Sequence, residues 1–212
     1  MLIYIGAEEN ANSMVNFQPT ILRGIGYTAN AAQVHTIPVY CTALVFSVTC
    51  AVISERIGHR YGFVMLGFSV LCSGLAIMIT LPHNGRLRYM GLFFITSGAY
   101  LVMPMSVVWV SINVGKGYKR AVATAAVIGI GNCGSFVASN VFITREQPGF
   151  RTGFSTGMVF CGIGAAAATV YYLCCLFSNR ARNKKREISS ESVDQGRLED
   201  LGENHPDFRY KV

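Results

Sequence analysis

The chain has 212 residues, of which 51% are hydrophobic and only 14% are charged, and its formal net charge is +7. A soluble domain carries about one quarter charged residues, so this composition excludes an ordinary soluble protein and indicates a membrane protein. We expect no nucleic-acid partner, because the basic residues lie in short loops beside apolar runs, where they determine membrane topology.

The first segment, residues 1–22, is the weakest candidate for a membrane span. It contains Glu8 and Glu9 together with several asparagines, a polar load that a lipid-facing helix does not tolerate. We therefore predict only a partial span here. If the segment does cross the bilayer, its two carboxyl groups lie near mid-membrane and are candidates for carrying a coupling proton. The alternative is that they remain at the membrane surface.

Five later stretches reach the roughly 20 apolar residues that are needed to cross about 30 Å of hydrocarbon. Their connections are short, so the sequence predicts one up-and-down helical bundle within a transmembrane domain of residues 1–178. Residues 179–212 are rich in Ser, Glu, Lys and Arg and predict a cytoplasmic tail that is largely disordered. The predicted spans are residues 33–53, 62–81, 89–112, 121–143 and 154–177.

Lys and Arg residues favour one side of this predicted bundle. Ten of them lie in the loops and the tail on one side, and five lie on the other. The richer side includes the loop around Arg56 and the cluster between Arg180 and Arg186. It is predicted to be cytoplasmic, which places the C-terminus in the cytosol.

A charged run, Ser54-Glu55-Arg56-Ile57-Gly58-His59-Arg60, connects the first two apolar spans on that side. Lipid tails cannot hydrate its charges, so we expect it to lie at the membrane surface. Glu55, Arg56 and Arg60 are candidates for a gating loop, in which they pair with one another or with a neighbouring domain. The alternative is that the run is only a topology signal.

The sequence offers no pattern that is typical of a metal or cofactor site. All seven cysteines fall inside apolar runs, no C-x-x-C pair occurs, and the histidines are scattered. We interpret the cysteines as small packing residues. No nucleophile or acid–base constellation crosses the spans, so we expect neither a cofactor nor enzymatic activity.

Several motifs resemble a known family. Glu55-Arg56-Ile57-Gly58-His59-Arg60 resembles the D-R-x-G-R-R loop signature of the major facilitator superfamily. The whole set resembles the fungal anion:cation symporter family, whose members include allantoate and nicotinate permeases. The further matching runs are Phe17-Gln18-Pro19-Thr20-Ile21, Lys119-Arg120-Ala121-Val122-Ala123, Gly129-Ile130-Gly131-Asn132, Ala138-Ser139-Asn140 and His205-Pro206-Asp207-Phe208-Arg209-Tyr210.

The resemblance implies a fold and a location. Transporters of this superfamily have twelve helices in two six-helix halves, and the matching motifs belong to the second half. The expected fold class is therefore all-α, a polytopic membrane helical bundle that forms the second six-helix half with an incomplete first helix. The resemblance also implies the plasma membrane.

The resemblance further implies a substrate site near mid-membrane, between the two halves. Tyr100 and Asn132 lie at about that depth in their spans, so we expect them to bind substrate by donating hydrogen bonds to a carboxylate. For Asn132 the alternative is an interhelical hydrogen bond.

The implied function is transport of a small organic anion by proton-coupled alternating access. This chain would supply only the C-terminal half and would pair with a missing N-terminal half or with a full-length relative. The alternative is a truncated membrane fragment that does not transport and has a regulatory or vestigial role.

Overall fold

The computed structural model describes residues 1–82, 84–114, 117–141 and 150–188. For residues 141 and 182–188 it describes the backbone only. The regular secondary structure in these ranges is helical throughout. The helices are α1 (Leu2–Ile25), α2 (Ala29–Ile57), α3 (Arg60–Thr80), α4 (Gly85–Asn113), α5 (Tyr118–Gly131), α6 (Cys133–Val141) and α7 (Arg151–Ile188).

The predicted all-α membrane bundle is confirmed. Within the described residues, five helical segments are long and apolar enough to cross a membrane: α2, α3, α4, the α5–α6 pair and α7. The protein is therefore an integral, multi-pass membrane protein. The helix α7 continues to Ile188, so residues 179–188, which were predicted to belong to a disordered tail, are helical. The remainder of the predicted tail lies outside the described residues.

The first helix, which the sequence predicts as a partial span, is a helix of 24 residues that packs against α2, α4, α5, α6 and α7. Glu8 is 5% exposed and Glu9 is fully buried within the protein. The buried polar side chains of α1 face other helices, which spares them the cost of contact with lipid. The extent of the span and the depth of the two acids in the bilayer stay predictions.

Glycines allow α3 and α4 to pack closely along their length. A Cβ atom added to Gly98 would lie 2.6 Å from the carbonyl oxygen of Gly67, and one added to Gly74 would lie 2.8 Å from that of Gly91. These distances are too short for any larger residue. The backbones of the two helices therefore approach one another as closely as small residues in membrane helices permit.

Aromatic clusters hold the helices together at the two ends of the bundle. At one end, the rings of Tyr61 and Tyr172 stack at 4.1 Å, and Trp109 meets Tyr171 edge-on at 4.8 Å, which joins α3, α4 and α7. At the other end, Tyr27, His35 and Tyr89 pack together, with 4.4 Å between the rings of Tyr27 and His35. The middle of the bundle lies between these two clusters.

A glycine turn joins α2 to α3. Gly58 ends α2 with a positive φ of 79°, and its N–H donates to the carbonyl oxygen of Ser54. A residue with a Cβ adopts that conformation at a cost, so glycine suits this position. The chain then enters α3 at Arg60 after a single extended residue, His59.

Candidate functional site

A cavity of about 730 Å³ lies in the middle of the bundle, between α1, α2 and α4. Its rim includes Leu44, which is 65% exposed, and Val108, which is 37% exposed, so the cavity is open along one side. We call it the tyrosine cavity, because three tyrosines from three helices line it. The lining residues are Tyr4, Tyr40, Ala43, Leu44, Ser47, Tyr100, Met103, Pro104, Val107 and Val108.

Tyr40 and Tyr100 form one wall of the tyrosine cavity. Their rings are 5.9 Å apart and perpendicular, an edge-to-face arrangement that aromatic pairs favour. Both side chains are half-buried, so each remains accessible from the cavity. Tyr100 lies near the midpoint of α4, which places this wall at about the middle of the span.

A proline explains how α2 is tied to α4 beside this wall. Pro104 has no N–H, so the carbonyl oxygen of Tyr100 lacks its usual donor one turn later in the helix. The hydroxyl of Ser47 supplies that hydrogen bond instead, at 3.0 Å. The single hydroxyl proton of Ser47 is thereby committed to the backbone and is not available to a solute.

Glu8 lies behind the tyrosine cavity, where α1 meets α6. Its Oε1 accepts hydrogen bonds from Asn12 Nδ2 at 2.6 Å and from Ser135 Oγ at 3.4 Å. Its Oε2 is buried and has no hydrogen-bond partner among the described residues. Tyr4 and Tyr100, which line the cavity, both lie within electrostatic range of this carboxyl group.

Glycines bring α5 and α6 close to the segment of α1 that carries Glu8. A Cβ atom on Gly131 would overlap the ring of Tyr4, and one on Gly134 would lie 3.2 Å from the backbone nitrogen of Glu9. Because neither position has a side chain, Ser135 can reach the carboxyl group of Glu8. Gly131 and Gly134 thus pack directly against α1.

Glu9 has different surroundings from Glu8. Its Oε1 accepts a hydrogen bond from Ser13 Oγ at 3.2 Å, and its Oε2 has no partner among the described residues. Consecutive residues point about 100° apart around a helix, and Glu9 does not line the tyrosine cavity. The two acids that the sequence presents as a pair are therefore separated by the helix geometry.

Asn132 lies apart from Tyr100. It ends α5 at the break between α5 and α6, where its backbone N–H donates to the carbonyl oxygen of Ile128 at 2.9 Å. Its side chain is exposed and does not line the tyrosine cavity. The structure thus does not bring the two predicted substrate-binding residues together within one cavity.

The charged loop lies at the end of the bundle, away from the tyrosine cavity. Glu55 and Arg56 are exposed, whereas Arg60 is half-buried and directs its Nη1 towards the sulfur atom of Met105 on α4 at 3.9 Å. The described contacts of Arg60 therefore lie within the bundle, on α4. Gating by this loop stays a prediction.

Most residues of the site were absent from the sequence prediction, among them Tyr4, Tyr40 and Ser135. Tyr4 lies in the first segment, which hydropathy discounted. Tyr40 lies on a predicted span, but periodicity does not say which face of that helix meets the cavity. A usable signal was the pair of Tyr100 and Pro104, because an internal proline in a span leaves a carbonyl that another helix must satisfy.

Comparisons with known proteins agree with this architecture. The family model described as Major Facilitator Superfamily matches residues 5–205. The high-affinity nicotinic acid transporter of Saccharomyces cerevisiae is 29% identical over 199 residues, which cover 92% of this chain and 36% of that protein. The MFS-type transporter cnsO of Penicillium expansum is 30% identical over 203 residues, which cover 91% of this chain and 38% of that protein.

A more distant relative is the vitamin H transporter 1 of Schizosaccharomyces pombe. It is 23% identical over 180 residues, which cover 82% of this chain and 32% of that protein. The chain thus spans roughly a third of the length of the curated relatives that it matches.

Proposed function

Because the chain belongs to the major facilitator superfamily, a family of transporters, we propose that it forms one helical domain of a proton-coupled transporter for a small organic anion. The observation that carries this proposal is the tyrosine cavity, together with the buried Glu8 behind it, which lies within electrostatic range of Tyr4 and Tyr100. The substrate class is supported by the relatives, since one is named for nicotinic acid and another for vitamin H. Both names denote small carboxylic acids.

Tyr100 is the proposed contact to the solute, because its side chain lines the cavity near the midpoint of α4. Asn132 is a second proposed contact only if another domain faces it, since its side chain lies outside the cavity and is exposed. An exposed asparagine in a membrane-spanning segment is costly in contact with lipid, which favours a polar partner at that position.

Glu8 is the proposed carrier of the coupling proton, and Glu9 is the second candidate. Carboxyl groups inside membrane domains are rare and commonly belong to proton pathways. Glu8 combines burial, an oxygen without a hydrogen-bond partner, and proximity to the cavity tyrosines. Glu9 shares the burial, whereas the electrostatic effect on the cavity tyrosines comes from Glu8.

A second helical domain is the proposed partner of this chain, together with the lipid bilayer. The helix α2 carries large exposed apolar residues along its length. Only 17% of the residues in its most apolar stretch are buried, which leaves most of its surface for lipid or another domain. We place the assembly in the plasma membrane with the C-terminus in the cytosol. Glu55, Arg56 and Arg60 would then face the cytoplasmic end of that partner.

Uptake of radiolabelled nicotinate tests the proposal. Yeast cells that lack nicotinate uptake would express this chain alone, or with the complementary domain of the nicotinic acid transporter relative. We expect uptake in the second case, with an acid-dependent rate that Glu8→Gln abolishes. Glu9→Gln is the matched variant, because it neutralises a buried acid of the same helix away from the cavity. Uptake no higher than in vector-only cells in both cases would overturn the proposal.

A further inference from the structure

We propose that the tyrosine cavity binds the uncharged body of the solute, a flat ring or a compact apolar group, while the negative charge of the solute is neutralised by groups outside this cavity. This inference rests on the proposed transport function and refines it. It assigns to this chain the recognition of one part of the solute, and it leaves the anionic group to residues beyond the cavity wall.

The lining of the cavity carries the first argument. It consists of three phenol rings, one serine and six aliphatic or thioether residues, with no Lys, Arg or His among them. Cationic side chains neutralise a bound carboxylate, whereas phenol hydroxyls donate hydrogen bonds without cancelling its charge. The wall offers no cation, its backbone N–H groups are engaged in helices, and the hydroxyl of Ser47 already donates to the carbonyl oxygen of Tyr100, so the three phenol hydroxyls are its remaining donors.

The position of the basic residues carries the second argument. Within the described residues of the spans, Lys and Arg lie towards helix ends. Arg88, the one among them that is almost fully buried, is in the first turn of α4 and donates to the carbonyl oxygen of Pro82 at 3.3 Å. Tyr100 is more than three turns further along the same helix. Among the described residues, the carboxyl group that lies within electrostatic range of the cavity tyrosines is that of Glu8.

In its ionised state, before it takes up the coupling proton, Glu8 opposes an anion in this cavity. Its carboxyl group lies within electrostatic range of Tyr4 and Tyr100, and its Oε2 has no hydrogen-bond partner among the described residues. Two negative charges repel strongly where water is scarce. A solute therefore enters with its anionic group turned away from Glu8 and its uncharged body between the tyrosines.

The shape of the cavity suits an uncharged ring. Its volume of about 730 Å³ exceeds that of a single six-membered ring and falls in the range of small-molecule sites. The perpendicular rings of Tyr40 and Tyr100 present an edge and a face, and a third ring can pack against either. The aliphatic residues Met103 and Val107 complete an apolar surface beside them.

A pair of isosteric probes separates the body of the solute from its charge. Nicotinate and nicotinamide share a pyridine ring and differ in bearing a carboxylate or a neutral amide. Their binding to the purified chain in lipid nanodiscs would be measured by equilibrium dialysis with radiolabelled ligand. We expect the amide to bind at least as tightly as the acid. An acid that binds ten or more times more tightly than the amide would overturn the proposal, because it would require a cation in the cavity.

Variants test whether Tyr40 and Tyr100 bind the ring of the solute and whether Glu8 repels its charge. Removing one ring with Tyr40→Ala or Tyr100→Ala should weaken the binding of both probes by a similar factor, about threefold to tenfold. Tyr118→Ala is the matched control, since Tyr118 is 77% exposed and lies outside the cavity. Glu8→Gln should strengthen the binding of the acid about tenfold and leave the binding of the amide unchanged. If Glu8→Gln weakens the acid, or if the Tyr variants leave both probes unaffected, the inference is wrong.

Two further controls separate a loss of binding from a failure to fold and from an absence of transport. Tyr100→Phe retains the ring, and thermal unfolding of each variant identifies any that fails to fold. Binding of the amide by a chain that supports no uptake, either alone or with the complementary domain, would contradict the proposed transport function and leave this inference standing. If folded wild-type chain binds neither probe, this inference fails whatever the uptake experiment gives.

Discussion

The hydrogen bond between Ser47 and the carbonyl oxygen of Tyr100 shows how one residue type dictates another across two helices. Pro104 removes the donor that would satisfy this carbonyl within α4, and Ser47 on α2 replaces it at 3.0 Å. An unpaired carbonyl in a membrane interior is costly. Beside the cavity wall, α2 thus supplies the hydrogen bond that Pro104 removes from α4.

A double-mutant cycle tests that coupling. Ser47→Ala leaves the carbonyl of Tyr100 without a donor and should destabilise the protein by about 0.6 to 1.7 kcal/mol, as interhelical hydrogen bonds in membranes do. Pro104→Ala restores an N–H within α4, so Ser47→Ala should cost much less in that background. The free energy of unfolding, measured by denaturant titration in detergent, gives both values. An equal loss of unfolding free energy on Ser47→Ala in the two backgrounds would show that Ser47 does not compensate for the N–H that Pro104 lacks.

Gly131 and Gly129 offer a matched pair for the packing of α5 on α1. A Cβ atom on Gly131 would overlap the ring of Tyr4, whereas one on Gly129 would meet no atom within 4 Å. We expect Gly131→Ala to destabilise the protein by about 1 to 3 kcal/mol. Gly129→Ala should be neutral or stabilising by up to about 1 kcal/mol, because alanine favours a helix. Thermal unfolding of the two variants checks this, and similar melting temperatures would contradict it.

At the scale of the elements, α1 shows where hydropathy fails. A window average treats every polar residue as exposed to lipid, so it does not register that Glu8, Asn10 and Gln18 of this helix are buried. Five apolar stretches sufficed to predict an all-α membrane bundle, which is confirmed. The burial of Glu8 depends on Ser135 and Gly134 of α6, which are distant in sequence, and hydrophobic periodicity cannot identify such partners.

Asn10 illustrates how α1 is held by such partners. Its Nδ2 donates to the carbonyl oxygen of Gly6, one turn back, at 3.0 Å and to that of Gly157 on α7 at 3.1 Å. Asn10 is buried, with 2% of its surface exposed, and an added Cβ atom at Gly157 would lie 2.5 Å from its Oδ1. The side chain thus fixes the distance between the two helices.

Replacing Asn10 should loosen the contact between α1 and α7. We expect Asn10→Ala to lower the free energy of unfolding by about 1 to 2 kcal/mol, because an interhelical hydrogen bond is lost and a small cavity forms. Asn16→Ala is the control, since Asn16 lies on the same helix and is exposed. Denaturant titration of both variants provides the comparison. A control that loses as much stability as Asn10→Ala would indicate a general effect on helix α1.

At the scale of the whole molecule, the number of crossings decides where the two ends of the chain lie. The candidate spans contribute five crossings through α2, α3, α4, the α5–α6 pair and α7. The helix α1 is about 36 Å long at 1.5 Å per residue, which exceeds the roughly 30 Å of the hydrocarbon layer. If α1 also crosses, the total is even and both ends lie on one side.

Tags at the two ends test this count together with the orientation. Charge asymmetry in the loops predicts a cytosolic C-terminus, so a C-terminal epitope should be detected only after the cells are permeabilised. A six-crossing bundle requires the same result for an epitope placed before Met1. An N-terminal epitope that is accessible in intact cells would mean that α1 does not cross, because five crossings put the ends on opposite sides. Accessibility of both epitopes in intact cells would instead invert the orientation and place Glu55, Arg56 and Arg60 outside the cytosol.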